Sequence, residues 1–331
     1  MKRVTIYGAG AVGGNVAVRL ASAGVAEVSV VARGAHLAAI RERGLTLVQN
    51  DQRTTIRPMA ATDDPADLPP QDLIIVTLKA TSLPEAAPAL AALRAPGAPV
   101  LFLINGIPWW WSHGLPAGHP ASLVPMDLID PDRALRDGLG ADAALGGVIY
   151  SPNEVTAPGE ITNRGHSRFL LGEPDGSLSP RLSAAVDLFA GAGIEVAART
   201  DLRRDVFGKL VLNVSVNPLC ALTGLTARQR LLEPGIRDLS RALIDEVIAV
   251  SHASGFPVAD GLDVEALLDT AKVPDAGSSM LQDVLAGRPM EVDALLGQLQ
   301  VLARDRQVAT PALDGVLPLL QGLNRRVTRT G

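Results

Sequence analysis

Three polar side chains interrupt an apolar run in the second half of the chain. In DVFGKLVLNVSVNPLCALTG, Lys209, Asn213 and Asn217 are spaced four residues apart, so on a helix they share one face. Buried polar groups need hydrogen-bond partners, which a solvated cavity or a bound ligand would supply. An amphipathic helix with a wet edge is the alternative. Because Pro218 disfavours helical backbone at Asn217, the sequence predicts a kink there, and a polar stripe leading into a kink favours a binding site.

A second polar stretch, SSMLQDVLAGRPMEVDALLG, follows further along the chain. Ser279 and Gln282 have the spacing of a helix capping box, and Glu291 comes shortly after Pro289, as in the acidic first turn of a helix. A helix N-terminus also binds carboxylates. Capping alone and ligand binding both fit these residues, and the sequence leaves the choice open.

The N-terminal run RVTIYGAGAVGGNVAVRLASAG contains a G-x-G-x-x-G pattern between a predicted strand and a predicted amphipathic helix. In a βαβ unit such glycines allow a tight turn, close approach of the backbone to a pyrophosphate, and close packing of helix on strand. The alternative is a glycine-rich packing turn without a ligand. We favour a dinucleotide site, whose predicted contacts are Gly8, Ala9, Gly10, Ala11, Val12 and Gly13.

The end of the second predicted strand indicates which dinucleotide would bind. An NAD site usually has Asp or Glu there to bind the ribose 2′-hydroxyl. This chain reads VVARGAH, with Arg33 at that point and no acid beside it. A guanidinium pairs well with a 2′-phosphate, so the sequence favours NADP(H), although a solvated surface arginine is the alternative.

Two further polar residues follow buried strands. Lys79 comes after DLIIVTL and Asn105 after PVLFLI, which places both at the carboxyl ends of strands, where open α/β sheets bind ligands. We predict that both contact the cofactor. A strand-end lysine reaching solvent and a turn-forming Asn-Gly pair are the alternatives.

The elements that position these residues change character along the chain. Through about residue 110, β-rich runs alternate with helical patterns, which predicts a parallel sheet covered on both faces. The stretch LTLVQNDQRTTIRP predicts a small hairpin with Asn50 and Asp51 at its turn. Beyond about residue 200 helical periodicity dominates, over 202–217, 235–254, 260–272, 290–305 and 312–324. The predicted fold class is α/β: an N-terminal Rossmann-like, doubly wound NADP-binding domain over residues 1–199 and a C-terminal all-helical substrate and catalytic domain over 200–331.

Composition excludes several functional classes. The 331 residues are 47% hydrophobic and 20% charged, as in a globular protein. A net charge of -5 gives no electrostatic support for nucleic-acid binding. The single cysteine, Cys220, precludes an intramolecular disulfide and a thiolate metal cluster. With no signal-peptide pattern and no apolar run near the roughly 20 residues that span a bilayer, the expected location is the cytoplasm.

The chain resembles the ketopantoate reductase (2-dehydropantoate 2-reductase) family over nearly its whole length. The resemblance rests on YGAGAVGG, VARGAHLAAIRERGL, LKA at 78–80, NG at 105–106, KLVLNVSVNPLCALTG and SSMLQDVLAGRPMEVDALLG. It implies NADPH-dependent reduction of a 2-oxo acid to a 2-hydroxy acid in pantothenate biosynthesis, without a metal. By the same resemblance, Lys209 is the general acid and Glu291 lies near it and near the nicotinamide ribose. The substrate would be bound by Asn213, Asn217 and Ser279.

The chain also departs from the family pattern. IPWWWSHG follows Asn105-Gly106, where the family usually has small or polar residues, and Ala227 stands near a position that is polar in some members. Trp109, Trp110 and Trp111 either pack, in the core or against another subunit, or reshape the pocket for a bulkier branched or aromatic 2-oxo acid. Ketopantoate is the default substrate and a bulkier 2-oxo acid is the alternative. A third hypothesis is a non-catalytic NADP(H)-binding sensor. Apolar stretches in the helical domain suit either a homodimer or core burial.

Overall fold

A computed structural model describes residues 2–258 and 262–330. The chain divides into two compact units: a first unit of residues 1–104 and 130–202, and a second of residues 105–129 and 203–331. The predicted boundary between 199 and 200 lies close to the observed one. Segment 105–129, which the prediction placed in the first domain, belongs instead to the second unit, because its contacts are with residues such as Arg203 and Ala294.

The first unit contains an eight-stranded sheet of order β12-β11-β8-β7-β6-β1-β2-β5. Its strands are parallel except that β8 and β11 pair antiparallel. Strand β1 lies between β2 and β6, so the chain order reverses beside it, at the point where open α/β sheets bind ligands. The strands are β1 (Lys2–Tyr7), β2 (Ala26–Val31), β5 (Ala61–Thr62), β6 (Leu73–Val76), β7 (Val100–Leu103), β8 (Ala144–Tyr150), β11 (Arg168–Gly172) and β12 (Glu195–Arg199).

A second, four-stranded sheet of order β4-β3-β10-β9 completes the β-structure of this unit. It consists of β3 (Leu45–Gln49), β4 (Gln52–Ile56), β9 (Asn153–Ala157) and β10 (Glu160–Asn163). Strands β3 and β4 form the predicted hairpin, with Asn50 and Asp51 at its turn, both at positive φ. That pair of left-handed residues is the geometry a two-residue hairpin turn favours, so the turn prediction is confirmed.

Four helices pack with these sheets: α1 (Ala11–Ser22), α2 (Gly34–Arg43), α3 (Leu83–Leu93) and α4 (Pro180–Gly191). Val16, Val18 and Leu20 of α1 are fully buried in the core of the unit. A Cβ on Gly14 would come 2.6 Å from the Ile161 side chain, so this glycine lets α1 lie directly on the small sheet. The predicted doubly wound α/β fold is confirmed.

The described residues of the second unit contain helices and no named strand. The helices are α5 (Leu202–Thr223, which starts at the last residue of the first unit), α6 (Gln229–Leu232), α7 (Pro234–Ala253), α8 (Val264–Leu267), α9 (Ser279–Leu285), α10 (Gln298–Asp305) and α11 (Pro311–Thr330). A π-helical turn, Asp293–Gly297, leads into α10. The helix predicted over 260–272 is mostly absent: only Val264–Leu267 is helical, and its predicted first residues fall among 259–261, outside the described part of the chain.

Helix α5 differs from its prediction in two ways. It continues through Pro218 to Thr223, so Asn217 keeps helical backbone and the stripe does not end there. Proline removes only its own N–H donor, and the buried neighbours Leu219 and Cys220 keep the last turns packed. Contrary to the sequence expectation, the helix is also long and apolar enough to span a membrane, but 61% of its most apolar stretch is buried inside the protein, as in a core helix.

Candidate active site

The glycine turn between β1 and α1 has the geometry that the sequence motif predicts. Gly8 has a φ of +103°, a region that residues with a Cβ rarely enter. The N–H groups of Gly8 and Ala9 both donate to the Val31 carbonyl at the end of β2, at 3.0 and 3.1 Å. A Cβ on Gly13 would come 2.8 Å from the Ile6 side chain and closer still to the Gly8 carbonyl, whereas a Cβ on Gly10 would meet no atom within 4 Å.

Two side chains that the sequence analysis missed hold this turn. The Thr77 hydroxyl donates to the Gly8 carbonyl. His36 Nδ1 accepts from the Gly159 N–H at 3.0 Å, so its Nε2 carries the proton and donates to the Ala9 carbonyl at 2.8 Å. The sequence signal for this contact was the histidine three residues after Arg33 in VARGAH, but its partner Gly159 is too distant in sequence to be inferred.

Arg33 and Lys79 follow the ends of β2 and β6, the two strands of the large sheet that flank β1. Arg33 is exposed, two residues after β2, and its guanidinium is close enough to Tyr7 to oppose the rise in the pKa of that phenol, which burial causes. Lys79 is partly buried at the start of a 3₁₀ turn, Ala80–Ser82, after β6. Both therefore lie at the carboxyl edge of the sheet, as the sequence predicts, and Arg33 is beside the strand that ends at the glycine turn.

The second unit brings Lys209, Asn105 and Glu291 into one hydrogen-bonded cluster. Lys209 Nζ donates to Asn105 Oδ1 at 2.8 Å, and Asn105 Nδ2 donates to Glu291 Oε2 at 3.3 Å. Loss of water around the ammonium lowers the pKa of Lys209 from 10.5 to about 8, and the Glu291 carboxylate opposes this shift. The cluster holds a cation that releases its proton far more readily than a solvated lysine.

The backbone around the π-helical turn positions two members of this cluster. Gly106 has a φ of +83° and lies against the Ala294 carbonyl, where a Cβ would not fit. The Ile107 N–H donates to the same carbonyl at 2.9 Å, so Asn105 is held beside Glu291. Glu291 lies just before the helical turns, not inside a first turn as predicted, and its carbonyl accepts from the Leu295 N–H at 3.2 Å.

The remaining predicted substrate residues are Asn213, Asn217 and Ser279. Asn213 is partly buried and Asn217 is 7% exposed, and neither amide hydrogen-bonds to another side chain or carbonyl in the part of the chain that the structure describes. The capping prediction is off by one residue: the Ser278 hydroxyl accepts from the Leu281 N–H at 3.2 Å, so Ser278 caps α9. Ser279 is exposed at the first helical position, and its hydroxyl is not used by the cap.

The three consecutive tryptophans are all buried in the second unit. Trp111 packs edge-on against Phe207 and Phe256, with ring centroids 5.4 and 5.5 Å apart. The buried Arg203 guanidinium lies 5.3 Å from the Trp110 ring centroid and donates from Nε to the Trp111 carbonyl at 2.8 Å. Arg203 therefore fixes the tryptophan segment to α5, six residues before Lys209, a role the sequence analysis missed. Ala227 is buried too, with its N–H on the Ala276 carbonyl.

The first unit fits a dinucleotide cofactor by its own geometry. Space is open at Gly10, where backbone must approach a pyrophosphate, and α1 begins there without a side-chain cap, so its first N–H groups are not occupied by one. A twelve-residue helix starting at that point directs its positive dipole end to the same place. The glycine turn therefore has the open space and the helix N-terminus that a pyrophosphate would need.

Comparisons with known proteins agree with this construction. Residues 4–176 match the family model "Ketopantoate reductase PanE/ApbA" and residues 201–324 match "Ketopantoate reductase PanE/ApbA C terminal". A 2-dehydropantoate 2-reductase of Mesorhizobium japonicum is 38% identical over 321 residues, 97% of each chain. The structure of a PanE/ApbA family ketopantoate reductase from Ralstonia eutropha aligns with a TM-score of 0.83 and 26% identity over 98% of this chain and 99% of that one. That of 2-dehydropantoate 2-reductase from Methylococcus capsulatus aligns with a TM-score of 0.81 and 27% identity over 98% of each.

The resemblance noted in the sequence is thus confirmed over both units. Members of this family use a nicotinamide cofactor and act on small molecules. The two matching models cover the glycine turn in the first unit and the Lys209 cluster in the second. The chain belongs to the ketopantoate reductase family.

Proposed function

We propose that this chain reduces 2-dehydropantoate (ketopantoate) to pantoate with NADPH as the reductant. The observation that carries the proposal is the hydrogen-bonded cluster of Lys209, Asn105 and Glu291, in a chain that shares 38% identity with a 2-dehydropantoate 2-reductase. The bound cofactor would supply the hydride to the ketone carbon. Everything else in the reaction is assigned to side chains of this chain.

Lys209 is the proposed general acid. As hydride reaches the ketone carbon, negative charge develops on the oxygen, and an ammonium beside it both stabilises that charge and donates the proton. The ketone thereby becomes a secondary alcohol, and the neutral amine of Lys209 recovers a proton from solvent. A pKa near 8 keeps the lysine mostly protonated at neutral pH while making it a better acid than a solvated lysine.

Glu291 and Asn105 are the proposed positioning residues for that lysine. Asn105 accepts from the ammonium and donates to the carboxylate, so its amide orients both groups. The negative charge of Glu291 raises the pKa of Lys209 and so retains the proton until the oxygen becomes basic. Glu291 and Asn105 are also proposed to contact the nicotinamide ribose side of the cofactor.

Substrate binding is assigned to Asn213, Asn217 and Ser279. The amides of Asn213 and Asn217 lie one and two turns beyond Lys209 on α5 and lack side-chain partners among the described residues. A hydroxyl group and a second oxygen atom of the substrate would supply hydrogen-bond partners for these amides. The Ser279 hydroxyl, left free of capping by Ser278, is a third group for the same purpose.

Cofactor binding is assigned to the glycine motif of residues 8–13, to Lys79 and to Arg33. Arg33 stands where an NAD site would carry an acid, and its guanidinium suits a 2′-phosphate. We therefore propose NADP(H) over NAD(H). The reaction belongs to biosynthesis of pantothenate, and the proposed location is the cytoplasm. A homodimer stays a prediction, which sedimentation would test.

The test measures the decrease in NADPH absorbance with ketopantoate and, for comparison, with each of a panel of branched and aromatic 2-oxo acids. Efficient turnover of ketopantoate is the expected result. Turnover of a bulkier 2-oxo acid alone would contradict the substrate and assign specificity to the Trp109–Trp111 segment. Tight NADPH binding without turnover of any 2-oxo acid would contradict catalysis and indicate a sensor.

A further inference from the structure

One buried cation in the second unit has no counter-charge among residues 105–129, 203–258 and 262–330. Arg230, on α6, is 1% exposed. One of its terminal nitrogens donates to the Ser240 hydroxyl, its Nε has no hydrogen-bond partner, and no carboxylate of the described residues pairs with it. Burial of a guanidinium without an anion destabilises the fold, and a bound anion would offset that cost.

The position of Arg230 links it to the predicted substrate residues. Arg230 lies close enough to the Cys220 thiol on α5 for each to affect the pKa of the other, and Cys220 lies three residues after Asn217, almost one helical turn further along the helix. The segment that carries Arg230 also lies beside the segment that leads into α9: the N–H of Ala227, three residues before Arg230, donates to the carbonyl of Ala276, three residues before Ser279, at 2.9 Å. The segment that carries Arg230 therefore lies near the end of α5 and the start of α9, the elements that carry Asn217 and Ser279.

The thiol itself does not neutralise Arg230. Burial raises the pKa of Cys220, despite the opposing effects of Arg230 and Ser278, so the sulfur is a neutral thiol at physiological pH. Loss of water also lowers the pKa of Arg230, the direction expected for a guanidinium without an anionic partner. Arginine nevertheless stays charged in proteins, so the need for an anion persists.

We propose that Arg230 binds the carboxylate of the 2-oxo acid. This inference rests on the proposed function and deepens it by naming what recognises the acid group of the substrate. Lys209 is assigned to the ketone oxygen, so the carboxylate needs a different cation. A guanidinium donates two parallel hydrogen bonds to a carboxylate, which suits an acid and rejects an uncharged ester or amide of the same shape.

The experiment compares ketopantoate with its lactone, the uncharged cyclic ester, in the wild-type chain, Arg230→Met, Arg230→Lys and the neighbouring Arg228→Met. Arg228 is partly buried and donates to the Val273 carbonyl, so it controls for loss of an arginine from this segment. In Arg230→Met the KM for ketopantoate should rise about 10- to 100-fold, with a smaller change in kcat and little change for the lactone. Arg230→Lys should recover part of the loss, and Arg228→Met should retain the wild-type preference.

Binding without turnover gives a second measurement. Pantoate should raise the Tm of the wild-type chain more than its lactone does, and Arg230→Met should lose that difference. Equal losses for acid and lactone, or an unchanged preference in a folded Arg230→Met, would overturn the inference and leave Arg230 a packing residue. If the wild-type chain turns over no 2-oxo acid, the proposed function fails, while the Tm shifts by 2-hydroxy acids against their amides still decide whether Arg230 binds carboxylates.

Discussion

The glycine turn of the first unit and the lysine cluster of the second depend on different physical effects. The turn is made of backbone: two N–H groups on the Val31 carbonyl, a positive φ at Gly8 and the absence of side chains where they would collide. The cluster is made of side chains, whose hydrogen bonds and loss of water set the pKa of Lys209. The turn should therefore respond to added volume and the cluster to added or removed charge.

The largest expected effect is a loss of turnover without a loss of cofactor affinity, which distinguishes the lysine cluster from the glycine turn. Lys209→Met should lower turnover by about 10²- to 10⁴-fold, because it removes the proton donor, while NADPH affinity stays within a few-fold of the wild-type value. Steady-state rates and a fluorescence titration with NADPH measure the two quantities. Lys272→Met, at an exposed lysine paired with Asp263, is the matched control. Near-normal turnover in Lys209→Met would remove the lysine from the mechanism.

The next effect concerns cofactor choice alone. Arg33→Ala should reduce the preference for NADPH over NADH by about 10- to 100-fold, the worth of one or two charge-assisted hydrogen bonds. The ratio of kcat/KM for the two cofactors measures it. Arg43→Ala, an exposed arginine on the same helix that Arg33 precedes, should leave the ratio unchanged. Comparable affinities for both cofactors in the wild-type chain would contradict NADP specificity.

Two alanine substitutions test whether the room for a side chain at each glycine determines the stability of the turn. Gly13→Ala should destabilise the fold by about 1–3 kcal/mol, because its Cβ would collide with Ile6 and the Gly8 carbonyl. Gly10→Ala should leave the Tm nearly unchanged, since nothing lies within 4 Å of its Cβ, but weaken NADPH binding. Thermal unfolding and a binding titration distinguish the two. Equal Tm losses in both variants would mean that local backbone propensity, and not space, sets stability here.

The smallest expected effect is a shift along the pH axis. The Glu291 carboxylate raises the pKa of Lys209, so Glu291→Gln should lower that pKa and move the alkaline loss of activity to lower pH. Rates over a pH series measure the shift. An unchanged alkaline limb in a folded, active Glu291→Gln would show that the carboxylate does not hold the proton on Lys209.

Local patterns in the sequence were sufficient to predict much of the first unit. The glycine motif, the turn at Asn50 and Asp51 and the strand-end position of Arg33 depend on neighbours within a few residues, and the structure has all three. The role of His36 at the glycine turn was not predicted, because its partner Gly159 is distant in sequence. Such side-chain contacts depend on the assembled fold, which residue spacing does not encode.

The second unit was predicted less completely for the same reason. Pro218 ends a helix by local propensity, yet burial of α5 carries the helix to Thr223. Ser279 matched a capping pattern, but its neighbour Ser278 takes the cap. The contact of residues 105–129 with Arg203 and Ala294, and the burial of Arg230 without a counter-charge, arise only when distant helices meet.

The most direct test of the central claim, that Lys209 is the proton donor, is the pH dependence of kcat for ketopantoate reduction with NADPH. The ammonium is present below its pKa of about 8 and lost above it, so the rate should be level near neutral pH and fall about tenfold per unit at alkaline pH. A rate that stays level to about pH 10 would contradict the assignment of Lys209 as the general acid.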